Sequence, residues 1–510
     1  MKKKILMIVI DQFRADCLNG ALSGHIKLPH LQALMRESTC FNRHYTVTSP
    51  CGPSRASLLT GLYAMNHRSI RNGNPLPRQH PTIASEFRKA GYEPLLFGYT
   101  DISADPHFLH PNDPDLKNYE GLAPGFSEVV RLRSESNSSW IGNLKTKGYD
   151  IPAAYWDLFK PVAANGSTKP AISDPALYAA EDSDTAYLTN RTLEELCARE
   201  QQDWLSLVTY IRPHPPLVAP APYNKAFAPS ELPSPVRPQS LEHHKETHPY
   251  FAANYTHPAN EGLYIGFDGR QDLMADDDIA ELRAVYAGLA MEVDHHIGRI
   301  LNYLRDSGQY DDTLIVVTAD HGEMLGDHYM WGKETPHEAA LHVPLIIRDP
   351  HNPQSHGIEV NHFTETIDIT PTLLDWVGEE PNISFNGKSL LPFLKGEPPQ
   401  SWRNHIFAEV DFGDPLEPTR FQEAFGLSQF QSNFAVIRDD HFKYVHFNGG
   451  LPPLLFDMQA DPQEFNNLAA DPSHASELLH YANVMLDHRM SFAHHATSRM
   501  KIKETGIQYA

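Results

Sequence analysis

Cysteine is scarce in this 510-residue chain: Cys17, Cys40, Cys51 and Cys197 are the only four. Four thiols without a CxxC pair make neither a disulfide framework nor a zinc-ribbon pattern, which points to a reducing compartment. Long apolar runs are missing too. The start, Met1-Lys-Lys-Lys-Ile5-Leu-Met-Ile-Val-Ile10, has a short apolar stretch that Asp11 ends, with no small-residue cleavage site after it. That reads as a first strand rather than a signal peptide. No segment approaches the roughly 20 apolar residues of a membrane span, so a cytoplasmic protein is expected, with no membrane partner. Basic charge is also short: 42 Lys and Arg face 64 Asp and Glu, a formal net charge of −22. Such a surface disfavours nucleic acid and anionic lipid as partners. A small anionic substrate stays compatible, provided a metal or a few placed cations supply a local positive site.

What the chain does have is alternation. Residues 5–10 and 313–318 are continuous, β-branched runs, as expected for strands buried on both faces. Helical patterns run over 82–90 before Gly91 and the strand-like Pro94-Leu-Leu-Phe97, over 276–307 before the second run, and over 367–377 before Gly378. The order implies an α/β fold, a large and mostly parallel sheet flanked by helices. Residues 213–258 are rich in Pro and His without periodicity and read as an insertion, a lid or an oligomer contact. Pro and Gly cluster again near 380–400. Residues 434–438 and 442–447 then alternate across Asp439-Asp-His441 like a hairpin. We therefore expect a catalytic α/β domain over 1–395 and a smaller α+β domain over 396–510, with antiparallel sheet, helix and tail.

Polar residues follow both apolar runs: Asp11-Gln12 after the first, Asp320-His321 after the second. Open α/β sheets place their ligands at such carboxyl ends. Two carboxylates meeting there repel unless a cation lies between them. The bland alternative is strand-end turn residues that cap helices. Between them in sequence lies Cys51-Gly-Pro53-Ser54-Arg55-Ala-Ser-Leu-Leu59-Thr60-Gly61. Pro53 suits a first helical turn and Gly61 a helix end. Cys51 then sits at a helix N-terminus, a natural anion site, with Arg55 one turn on along the same face. Alone, this could also be a capping turn with a structural Cys.

The Cys51 segment resembles the signature of the sulfatase family, within the alkaline phosphatase superfamily. The resemblance implies that a separate formylglycine-generating enzyme oxidises Cys51 to formylglycine. One hydroxyl of the hydrated aldehyde attacks sulfur or phosphorus, and the other expels the ester. It further implies a divalent metal held by Asp11, Gln12, residue 51, Asp320 and His321. Calcium sites of the family carry Asp and Asn where this chain has Gln12 and His321. An imidazole suits Mn, Fe or Zn better, and Mn is our first expectation. This pairing looks like the phosphonate monoester hydrolase and arylsulfatase subgroup. Arg55 and Lys333, in Trp331-Gly332-Lys333, are implied to stabilise charge on the transferred group. His214, in Tyr210-Ile-Arg-Pro-His214-Pro-Pro216, is implied to bind the oxyanion or protonate the leaving group. Asn72 and Tyr99 fall in segments that line the subgroup's pocket. At Asp101 a hydroxyl residue is more typical there, and a carboxylate disfavours dianionic substrates. Arg14 and Asp16 are expected to organise a loop. Further marks, Leu455-Phe-Asp457, Asp461-Pro462 and Asn467-Leu468-Ala469, extend the resemblance to about residue 470.

The expected activity is metal- and formylglycine-dependent hydrolysis of phosphonate monoesters, phosphodiesters or aryl sulfates by a homo-oligomer. A dedicated arylsulfatase and a phosphoryl-group transferase are the alternatives, and a binder built on a dead hydrolase is a third. Cys51 and the absence of a span speak against the transferase, and the complete residue set against the dead enzyme.

Overall fold

The computed structural model describes residues 3–133, 137–163, 170–256, 262–267, 269–493 and 498–509. Its centre is the strand Lys4–Ile10, paired in parallel with Trp204–Tyr210 on one side and Thr313–Ala319 on the other. The eight-stranded sheet runs Ser127–Arg131, Pro94–Gly98, Trp204–Tyr210, Lys4–Ile10, Thr313–Ala319, Leu345–Arg348, Thr39–Phe41, Glu359–Val360. The first five strands are mutually parallel. Leu345–Arg348 is antiparallel to both its neighbours, which makes the sheet mixed at one edge.

The central strand shows why a continuous apolar run was needed. Leu6, Ile8 and Ile10 enter one hydrophobic cluster, and Ile5, Met7 and Val9 enter the other. Successive side chains point to opposite faces, and both faces are covered. The 31-residue helix Asp276–Asp306 covers the first face through Leu282, Leu289, Val293, Ile297 and Ile300. The helix Ile369–Val377 covers the second, ending at Gly378 with φ 89°. A capping box of Thr82 and Ser85 starts the helix Ile83–Lys89.

A second, four-stranded antiparallel sheet takes Ile406–Asp411, Asn433–Arg438, Phe442–Phe447 and Leu454–Asp457 in that order. The hairpin across Asp439 is thus present. The helix Ala475–Phe492 follows, and the tail expected after it includes a hairpin, Met500–Lys503 with Gly506–Tyr509.

The Pro-rich insertion differs from its sequence reading. Residues 257 and 258 lie outside the described residues. Within the rest, Leu241–Thr247 and Pro249–Ala253 are helical. Tyr250 and Phe251 are buried in a cluster with Phe412, Phe421, Phe434 and Phe447 of the second sheet. Both helices are too short for 3.6-residue periodicity to show, so composition alone suggested a loop. These two helices pack on the second sheet.

Candidate active site

The site sits past the carboxyl ends of the two central strands. Asp11 follows Ile10 and donates its backbone N–H to the Tyr210 carbonyl at 2.9 Å. Asp320 follows Ala319 on the neighbouring strand, in register with Ile10. Both carboxylates are buried, at 1% and 0% exposure.

The helix Cys51–Thr60 brings the third element. All ten of its residues are buried, and Gly61 closes it with φ 64°. Ser54 Oγ donates to the Asp320 carbonyl at 2.5 Å, tying the first turn to the end of the strand Thr313–Ala319. One turn in, Arg55 reaches between the carboxylates. Its Nε donates to Asp320 Oδ2 at 2.9 Å and its Nη2 to Asp11 Oδ2 at 3.1 Å. The guanidinium lies 4.0 Å from the Tyr99 ring centre, and Tyr99 donates its phenol to Asp11. The fork thus holds two like charges at fixed spacing.

At the head of this assembly, ligand atoms of Asp11, Cys51, Asp320 and His321 all lie within 4.8 Å of one another. His321 Nδ1 faces the Gly322 carbonyl at 3.0 Å, so it carries the proton and leaves Nε2 free to bind. That Nε2 is 3.2 Å from Cys51 Sγ. Burial lowers the His321 pKa to about 4, against the pull of Asp320, so the imidazole is neutral near pH 7. Burial and the Asp320 charge raise Asp11. Burial also acts on Asp320, but His321 and Arg55 outweigh it and hold that carboxyl below its ordinary range. An O,O,N donor set of this kind, with its imidazole already oriented, fits a divalent transition ion.

The same surroundings disable a thiol. Burial and the neighbouring Asp11 push Cys51 well above its ordinary pKa. A reactive cysteine needs the opposite environment.

Lys333 and His214 form a second group. Lys333 Nζ donates to Gln12 Oε1 at 2.7 Å and lies 3.2 Å from His214 Nε2. His214 Nδ1 faces the Pro215 carbonyl at 2.6 Å, so Nε2 accepts from the ammonium. Burial and Lys333 keep His214 well below the usual imidazole range. Gln12 has φ 63° and spends its carboxamide on Lys333 and Glu323. Its side chain therefore bridges Glu323 to Lys333. Asn72 accepts the Gly52 N–H at 2.9 Å and fixes the start of the helix Cys51–Thr60.

All ten sequence-derived site residues are thus brought into one constellation, but Gln12, expected as a metal ligand, spends its carboxamide on Glu323 and Lys333 and stands outside the cluster of Asp11, Cys51, Asp320 and His321. Arg14 does organise a loop, through Asp16 and Asp327. Sequence reasoning missed Glu323, which accepts from Gln12 and from the Leu325 and Gly332 N–H groups. Its place three residues after Asp320 was the available signal. A cavity of about 570 Å³ opens from the site, lined by Asp11, Cys51, Asn72, Tyr99, Asp101 and His214, with aromatic residues beyond.

The sulfatase family profile matches residues 3–379, and a profile of the C-terminal part of N-sulphoglucosamine sulphohydrolase matches 326–490. The multifunctional alkaline phosphatase superfamily protein PehA of Trinickia caryophylli is 36% identical over 99% of both chains. An arylsulfatase of Clostridium perfringens is 27% identical, over 92% of this chain and 90% of its own. The phosphonate monoester hydrolase structure from Silicibacter pomeroyi superposes with TM-score 0.96 at 50% identity, covering 100% of this chain and 99% of its own. That of Agrobacterium radiobacter gives 0.95 at 39% identity with full coverage of both chains. A strand-end carboxylate pair, the helix that starts at Cys51 between them and these matches along the whole chain lead to one conclusion: the protein belongs to the sulfatase family of the alkaline phosphatase superfamily and is an ester hydrolase.

Proposed function

We propose that the protein hydrolyses phosphonate monoesters and phosphodiesters, and aryl sulfates beside them, from a formylglycine at position 51 with one divalent metal. The observation that carries this reading is the convergence of Asp11, Cys51, Asp320 and His321 within 4.8 Å. The metal would be held by Asp11, Asp320, His321 and residue 51, and would supply Lewis-acid stabilisation of charge. Mn is favoured by the imidazole ligand over Ca. Formylglycine would supply a hydrated aldehyde, one oxygen of which attacks while the other later expels the ester. An unreactive thiol in this position is the expected precursor of such a group.

The chain's own residues do the rest. Arg55 holds the two carboxylates at fixed spacing and favours the ionised form of each. Asn72 orients the helix N-terminus, whose N–H groups favour an anion. Lys333 meets charge that develops on the transferred group. The proton it shares with His214 Nε2 is the one available to the departing oxygen.

Maturation requires a formylglycine-generating enzyme as partner. Leu479, Leu486 and Met490 are exposed on one face of the helix Ala475–Phe492, which supports a homo-oligomer. Among the described residues no helix is long and apolar enough to cross a membrane.

The test is kcat/KM on an aryl sulfate, an aryl phosphonate monoester and a phosphate diester, side by side, with Cys51→Ala as control. Phosphonate or diester should dominate and the control should be inactive. Dominant sulfate turnover would make the protein an arylsulfatase with the other subgroup's ligands. An ester product attached to an acceptor alcohol would make it a transferase.

A further inference from the structure

The cavity next to the site carries a carboxyl group that the reaction above does not use. Asp101 is 5% exposed, and its Oδ1 is buried without a hydrogen-bond partner. Its φ of 55° places it in the left-handed region, which Asp tolerates better than most residues. Asp residues in such turns commonly bond their own backbone. Among the described residues, no group donates to this carboxyl. The residue lines the cavity.

The cations nearby are committed elsewhere. Arg55 is engaged by Asp11 and Asp320, Lys333 lies on Gln12 and His214, and Arg212 pairs with Asp184 at 3.0 Å. A second carboxyl, Glu120, at 1% exposure, lines the same cavity. Burial, and then the Glu120 charge, raise the Asp101 pKa well above the carboxylate range. A buried carboxyl without a hydrogen-bonded counter-charge is expensive, and a cation arriving with the ligand removes that cost.

The far wall is aromatic. Tyr119, Tyr155 and Trp156 line it, with Trp156 42% exposed. Asn137 donates to the Tyr155 hydroxyl at 2.7 Å and fixes that ring, and Trp156 meets it edge-on at 5.1 Å between centroids. Ring faces attract ammonium groups. An aryl group would use this wall but leave Asp101 unsatisfied.

Asp101 also lies beside the nucleophile rather than across from it. Its backbone oxygen would be 3.0 Å from a Cβ built on Gly52, the residue after Cys51. In-line displacement puts the leaving group opposite the nucleophile and the retained groups around the equator. Asp101 therefore faces a retained group.

We propose that Asp101 and the aromatic wall form a subsite for an ammonium group on the substituent that the ester keeps on phosphorus. The preferred substrates are then phosphonate monoesters or phosphodiesters that are zwitterionic. This rests on the hydrolase reading above and narrows its substrate class.

The experiment compares two near-isosteric 4-nitrophenyl phosphonates, one with a 2-aminoethyl and one with a propyl substituent on phosphorus. Wild type should prefer the amino ester in kcat/KM by at least about 10-fold, the change that corresponds to about 1.4 kcal/mol. Asp101→Asn should bring the ratio towards one. Calorimetry on the wild type, with 2-aminoethylphosphonate against propylphosphonate, should show the same preference without turnover. That arm still decides the matter if Asp101→Asn fails to fold or neither ester is cleaved. Equal turnover and equal binding of the pair would overturn the subsite and leave the hydrolase reading standing. A preference that survives in folded Asp101→Asn would also overturn it. Failure to cleave either ester, with selective binding retained, would instead count against the hydrolase reading alone.

Discussion

Arg55 carries more of the site than its distance from the reacting atom suggests. It is 2% exposed and bonds one oxygen of each strand-end carboxylate. Removing one member of such a buried group leaves unpaired charge and costs about 3–5 kcal/mol. Arg55→Ala should therefore lower urea-unfolding stability by roughly that amount in metal-free protein. Arg55→Lys keeps the charge but loses the fork, so it should fold and lose about 10²–10³ in kcat. A fully active Arg55→Lys would show that the fork's geometry is not needed. At this scale the sequence was highly legible. Asp11, Cys51, Arg55 and Asp320 stood in motifs whose spacing already implied chemistry. Gln12 was legible as a site residue, but its bridge to Lys333 was not, because residues 321 positions apart give no local signal. The unpartnered state of Asp101 was hidden for the same reason: it depends on where every nearby cation goes.

Between the elements, buried histidines pack against the two short helices of the insertion. His244 of the helix Leu241–Thr247 stacks on Phe251, and its ring lies 5.6 Å from His328 and 6.2 Å from His337. Burial lowers His244 to about 3, helped by His328, and lowers His328 to about 4 against Asp327. His337 is pushed well below its usual range by burial, with His328 adding to the effect. These groups bind protons more readily when unfolded. Their stabilising neutral state is complete above about pH 6.5, and stability falls as pH drops from there towards about 4. The shift of His244 is worth roughly 5 kcal/mol and that of His328 roughly 3 kcal/mol. Thermal melts at pH 7.5, 6 and 5 should show a steep decline, and His244→Leu should make it shallower. An unchanged slope would remove this cluster as its cause. The sequence displayed the histidines and prolines but not this role. Strand and long-helix periods were readable, whereas two short helices packed on a distant sheet leave no period to read.

For the whole molecule, the donor set and the helix Ala475–Phe492 make separate predictions. Binding of an ion by Asp11, Asp320 and His321 adds stability only to the folded state, about 2.7 kcal/mol at a hundredfold excess over Kd. Melting temperature should rise with added Mn²⁺ and fall on chelation, and this response should vanish in Asp320→Asn. An unchanged melting temperature would mean that no ion binds there. Light scattering should give a multiple of the 57.4 kDa chain mass, whereas a monomeric mass would exclude the homo-oligomer. The fold was readable at this scale because alternating buried strands and helices admit few architectures. The antiparallel edge and the last hairpin were not, since strand direction follows from long-range pairing.

The most direct measurement is the mass of the peptide containing residue 51, taken from the catalytically active fraction. The account predicts an aldehyde or its hydrate at that position, with activity proportional to its fraction. Full activity from protein that carries only the unmodified Cys51 thiol would contradict it.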